Sequence, residues 1–177
     1  MDRQRIAVVA TGSRGDAQPK MAMAAALAAR GCTVMFFTNV NHTALCEDIG
    51  LDSVGCFQTF TSVMDANPKL KRNLASKPFL HFAAEAQQQI VFEAIVAPGS
   101  LTAYWQALGE FAPTVVMHDL ATMGIAAPYC WKHNLPHFLA EIDNHHPSAG
   151  HPPPGNQTIT VRTVIAVAQH TCLSPPG

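Results

Sequence analysis

Residues 8–31 read VVATGSRGDAQPKMAMAAALAARG, and the apolar run TVMFFT follows at 33–38. An apolar stretch (RIAVVA, 5–10) breaks at a glycine-bearing turn, a run of helix formers follows, and a second all-apolar stretch closes the unit. Strands without polar alternation are buried on both faces, and two of them joined through a helix form a parallel βαβ unit. This one feature limits the chain to an α/β architecture.

The rest of the chain keeps the alternation. A helix is expected over 19–30, with Pro19 in its first turn and Gly31 as its stop. A short helix follows over 42–49, a strand over 52–56, and helices over 83–97 and 100–111, separated at Pro98-Gly99. The segment 113–118 (PTVVMH) reads as a strand, 121–133 as a helix and 135–140 as a last short strand. Residues 57–82 lose periodicity and carry Pro68, Pro78 and most of the local basic residues, marking a long insertion of the kind that carries binding function. The expected fold is a doubly wound parallel sheet, Rossmann-like, over residues 1–142, followed by a proline-rich loop and tail over 143–177.

Composition removes several function classes. With a net charge of −1 and only 13% charged residues, the chain has no basic field for nucleic acid. No apolar run reaches the roughly 20 residues that a membrane span needs. The N-terminal apolar stretch is also too short for a signal-peptide core, and a cytoplasmic location is expected. The five cysteines show no CxxC spacing and are expected to be reduced thiols.

In a doubly wound sheet, ligands collect at the carboxyl ends of the strands, so the loop Gly12-Ser13-Arg14-Gly15 lies at the expected functional edge. It is neither the GxGxxG dinucleotide motif nor a P-loop. Asp16 has two readings. It can cap the following helix, or serve as a general base if it faces a substrate hydroxyl. The tripeptide Arg14-Gly15-Asp16 would need an exposed secreted loop to act in adhesion, and its place between a buried strand and a helix argues against that. His145, His146 and His151 lie in a proline-rich stretch that sets no metal geometry, and no metal or cofactor is expected.

The segment TGSRGDAQPKMAMAAALAARGCTVMFFT resembles the opening of glycosyltransferases of families 28 and 1, which include sterol, lipid and antibiotic glucosyltransferases. That opening has the form G-[ST]-R-G-D-x-x-P, a helix, then G-H-x-V and a strand. Gly12, Ser13, Arg14, Gly15, Asp16 and Pro19 match it, while Cys32 stands where the family has His. A second, more generic resemblance runs from Ala112 through Asp119 and Gly124 to Asn134-Leu135-Pro136, with Asn134 replacing a glycine and able to close a helix in the left-handed conformation.

The resemblance covers about residues 5–140 and implies the N-terminal, acceptor-binding half of the two-domain GT-B fold. It implies Asp16 as general base of an inverting transfer from a UDP-sugar to a hydroxyl of a lipophilic acceptor (sterol, lipid or natural product). Asp119 is implied as a second site residue, with a turn or cap role equally open. The loop from Gly12 to Gly15 would lie near the donor phosphates. Phe57, Phe60, Phe79, Phe82, His145 and His146 would touch the acceptor, with ordinary packing the competing reading for the aromatics. Nothing in 141–177 matches the family's nucleotide-sugar motif, so this chain would be incomplete alone, requiring a donor-binding domain or subunit. Peripheral membrane contact is compatible with a lipophilic acceptor. Two alternatives remain open: a non-catalytic module binding a lipophilic ligand, and an unrelated Rossmann-like nucleotide-binding protein.

Overall fold

A computed structural model describes residues 3–68, 72, 92–95, 97 and 99–140. Five parallel strands form one sheet: β1 (Arg5–Val9), β2 (Thr33–Asn39), β3 (Ser53–Phe57), β4 (Val115–His118) and β5 (His137–Leu139). Their order is β3-β2-β1-β4-β5, so the direction of winding reverses between β1 and β4. Ala7 pairs with Met35 on one side and Val116 on the other, which places β1 at the centre. The doubly wound parallel sheet expected from the apolar runs is the observed fold.

The two faces of β1 explain why its sequence shows no alternation. Ile6 and Val8 pack with Ala17, Met21, Ala24 and Leu27 of helix α1 (Arg14–Ala28). Ala7 and Val9 face the other way, toward Tyr104 and Leu108 of α4 (Ser100–Phe111) and Ile125 and Cys130 of α5 (Met123–His133). Two shorter helices, α2 (Thr43–Asp48) and α3 (Phe60–Ala66), a 3-10 turn (Val40–His42) and a helical stretch at 92–95 are also described.

Several expectations shift. Helix α1 begins at Arg14, five residues earlier than Pro19 suggested, so Pro19 lies inside the helix. Its missing N–H removes one helical hydrogen bond, a loss accepted because residues from Ala17 to Leu27 bury a full apolar stripe. Asn134 does close α5 in the left-handed conformation, with φ 51°. Cys46, Cys56 and Cys130 are free and buried, but Cys32 is disulfide-bonded, against the expectation of reduced thiols throughout. Burial pushes the Cys56 thiol up to about 12 and Cys130 up to about 11, so neither is a ready nucleophile.

Phe57 is corrected outright. It ends β3 rather than opening an irregular insertion, and its side chain has 0% exposure. Its ring lies 5.6 Å from that of Tyr104, beneath α4, so it has no surface to offer a ligand. Phe60, half-buried at the start of α3, packs against the same core cluster. Phe79, Phe82, His145 and His146 lie outside the described residues, as do the rest of the insertion beyond 68 (residue 72 excepted) and the tail.

Tyr104 is fully buried beside Phe37 and Phe57, and among the described residues its hydroxyl has no hydrogen-bond partner. An orphaned buried hydroxyl costs free energy that its removal recovers. Tyr104→Phe is therefore expected to leave stability unchanged or raise it by about 1 kcal/mol, read from urea unfolding.

Candidate functional site

The site forms where the loops after β1, β2 and β4 meet at the carboxyl edge of the sheet. Its centre is the start of α1. Asp16 occupies the third helical position, and its Oδ2 accepts from both the Ser13 main-chain N–H and the Ser13 hydroxyl, each at 2.8 Å. This is the side chain reaching back to a helix start, which satisfies a donor that the helix itself cannot. Asp16 thus does cap α1. Among the described residues, Oδ1 of the half-buried carboxylate has no hydrogen-bond partner, so capping leaves one oxygen for other work.

The backbone before it is built for close approach. Gly12 has φ +134°, and a Cβ placed there would lie 2.7 Å from Asp16 Oδ2 and 2.9 Å from Asp16 Cβ. No side chain fits, and only glycine adopts that conformation readily. Arg14 and Gly15, at the exposed first turn, present main-chain amides that bond to nothing among the described residues.

Asn39, at the end of β2, holds this loop from beneath. Its Oδ1 accepts from Thr11 Oγ1 at 3.0 Å and from the Gly12 N–H at 3.1 Å, while its Nδ2 donates to the Gln58 carbonyl. The turn after β2 adds His42, buried, with Nδ1 3.3 Å from Thr38 Oγ1. Burial lowers the His42 pKa, the Arg14 charge lowers it further, and Asp16 works in the opposite direction. His42 and Asp16 are therefore electrostatic neighbours although 26 residues separate them. Sequence reasoning missed both Asn39 and His42, whose one signal is a polar residue directly after a buried apolar strand.

Across the point where winding reverses, Lys20 of α1 reaches the loop after β4. Its Nζ lies 2.8 Å from Asp119 Oδ2, and the two side chains are only 9% and 4% exposed. Asp119 Oδ1 accepts from the Thr122 N–H at 2.8 Å and from the Thr122 hydroxyl at 2.7 Å. Both carboxylate oxygens are thus engaged within the protein. Of its two readings, the geometry is that of the turn: Asp119 anchors the approach to α5 and ties it to α1. The ion pair thus links α1 to the loop after β4 at the point where the winding reverses.

His118 and His137 form a further pair, Nε2 to Nδ1 at 2.9 Å, with rings 5.2 Å apart. His118 Nδ1 lies 3.2 Å from the Asp119 carbonyl, which can only accept, so Nδ1 carries the proton and Nε2 accepts from His137. Burial lowers the His118 pKa. Both His42 and His118 hold a proton less firmly in the fold than in the unfolded chain, whose value is 6.5. The unfolded state then binds more protons below that value, so their contribution to stability is full above it and is lost as pH falls. Melting temperature is expected to drop between about pH 7.5 and about pH 5, less steeply in His118→Gln. A flat profile in the parent would contradict this.

Among the described residues, no group of three His, Cys, Asp or Glu side chains comes together as a metal site, and no helix is long and apolar enough to cross a membrane.

No family model and no curated protein matches the sequence. Solved structures do match. The glycosyltransferase of kitacinnamycin is 20% identical at a TM-score of 0.53, covering 77% of this chain and 30% of its own. The calicheamicin glycosyltransferase is 16% identical at a TM-score of 0.55, covering 97% of this chain and 41% of its own. A Streptomyces sp. SF2575 glycosyltransferase, solved with thymidine diphosphate, is 15% identical at a TM-score of 0.53, covering 76% of this chain and 37% of its own. These likenesses establish the fold: a Rossmann-like sheet as in GT-B glycosyltransferases, corresponding to their N-terminal half. The chain spans between 30% and 41% of the length of these three proteins.

Proposed function

We propose that the chain forms the acceptor-side half of an inverting glycosyltransferase, with Asp16 as general base. The observation that carries this reading is the state of the Asp16 carboxylate at the carboxyl edge of the sheet: Oδ2 is fixed by two Ser13 donors, and among the described residues Oδ1 accepts no hydrogen bond. A base held by one oxygen keeps its orientation while the other takes a proton. The acceptor hydroxyl would give its proton to Oδ1 as its oxygen attacks the anomeric carbon, and the bond to the nucleoside diphosphate breaks with its electron pair leaving on the phosphate. Because Ser13 already donates to Asp16, contact with the donor phosphates would fall to the Arg14 and Gly15 amides and the exposed Arg14 side chain.

The donor class is a nucleoside-diphosphate hexose. UDP is the nucleotide that the motif resemblance implies, and thymidine diphosphate is the one found with structural neighbours, so both belong in the assay. A lipophilic natural product is the favoured acceptor class, because neighbouring structures carry the names of kitacinnamycin and calicheamicin. The test is transfer from UDP- and TDP-hexoses to hydroxylated polyketide, sterol and lipid acceptors, by the chain alone and with a donor-binding half supplied in trans or fused. Transfer is expected only in the completed protein. Efficient transfer by the isolated chain would refute the need for a second half, and no transfer in any combination would refute the reading itself.

A further inference from the structure

Lys20 stands four residues after Asp16 on α1, and residues so spaced share a helix face. An acidic residue one turn ahead of a lysine is the favourable order for an ion pair on a helix surface. Yet the Lys20 ammonium is drawn away to Asp119, 99 residues later, at 2.8 Å. The Asp119 carboxylate is held independently by the Thr122 amide and hydroxyl, so it offers Lys20 a fixed partner in a nearly closed setting. We propose that Asp119 is a positioning residue that withholds the Lys20 ammonium from Asp16, leaving the Asp16 carboxylate available to take a proton.

This inference rests on the reading of Asp16 as base, and it supplies a reason for the buried pair that stability does not. Such pairs add little over a well-packed apolar replacement, because desolvation offsets the attraction. A cation resting on Asp16, by contrast, would stabilise its charged form and weaken it as a base. Among the described residues, the charges of Arg14, on the same helix, and of Asp16 both act on His42, on the turn after β2. Arg14 and His42 are unchanged in the variants below.

The experiment is a carboxyl-carbon NMR titration of Asp16 in the 177-residue chain as it stands. In Asp119→Asn, the amide keeps an oxygen for Thr122 but turns N–H donors toward Lys20, which releases the ammonium. The Asp16 midpoint is expected to fall by roughly half to one pH unit, and adding Lys20→Met should return it to the parent position. An unmoved midpoint in Asp119→Asn would mean that the ammonium does not reach Asp16. A midpoint still lowered in the double variant would mean that loop rearrangement, not charge, is responsible. Either result overturns the proposal. If Asp119→Asn does not fold, Asp119→Ser takes its place, with the same expected fall in the Asp16 midpoint and the same results overturning the proposal. No transfer is measured, so a failed transferase assay and a failed titration remain distinguishable.

Discussion

Asp16→Asn is expected to reduce glycosyl transfer by the completed protein about a hundred- to ten-thousand-fold, the usual range for removing a positioned general base. The substitution separates the capping role of the carboxylate from its proposed role as base. An amide oxygen can still accept from the Ser13 N–H and hydroxyl, so the start of α1 should survive at a cost of about 0.5–1 kcal/mol, mostly from the lost charge near the helix dipole. What the amide cannot do is take a proton. The expected signature is a fall in kcat with little change in KM and a nearly parental melting temperature. A parental rate in a folded Asp16→Asn protein would assign Asp16 to capping alone. Asp16→Ala, which removes the cap as well, should be slower and less stable together.

Lys20→Met is expected to cost about 3–5 kcal/mol of folding free energy, because it leaves the Asp119 carboxylate buried without its cation. A domain of ordinary stability loses much of its margin at that cost. Adding Asp119→Asn should recover most of the loss, since a neutral amide needs no counter-charge and keeps its bonds to Thr122. Urea unfolding of the two single variants and the double variant measures the coupling directly. A loss below about 1 kcal/mol in Lys20→Met would show that the pair is solvated, and the argument for a sequestered ammonium would weaken with it.

How much of this was legible in the chain depends on the range of the interactions. β1 and β2 could be read from their apolar runs, because strands buried on both faces carry no competing signal. The left-handed stop at Asn134 was legible for a similar reason: few residues accept that conformation, and asparagine is one. The start of α1 was misplaced because Pro19 is a strong local mark for a first turn, whereas Ser13 and Asp16 act together across one turn and outweigh it. The Lys20–Asp119 pair has no local mark in the sequence, since its partners lie 99 residues apart and only the fold brings them together. Phe57 is open between acceptor contact and ordinary packing in the sequence, because aromatics beside an irregular segment suit a pocket and a core alike. The strand extends one residue further than expected and takes the ring into the core.

Asn39 carries a consequence for how such a protein can diversify. It grips the segment after β3 through the main-chain oxygen of Gln58, and it grips the Asp16 loop through Thr11 and the Gly12 amide. A main-chain oxygen is the same whichever residue supplies it. The exposed side chain of residue 58 can therefore change without retuning the loop that holds Asp16. A single carboxamide thus insulates the Asp16 loop from the identity of the side chain at position 58.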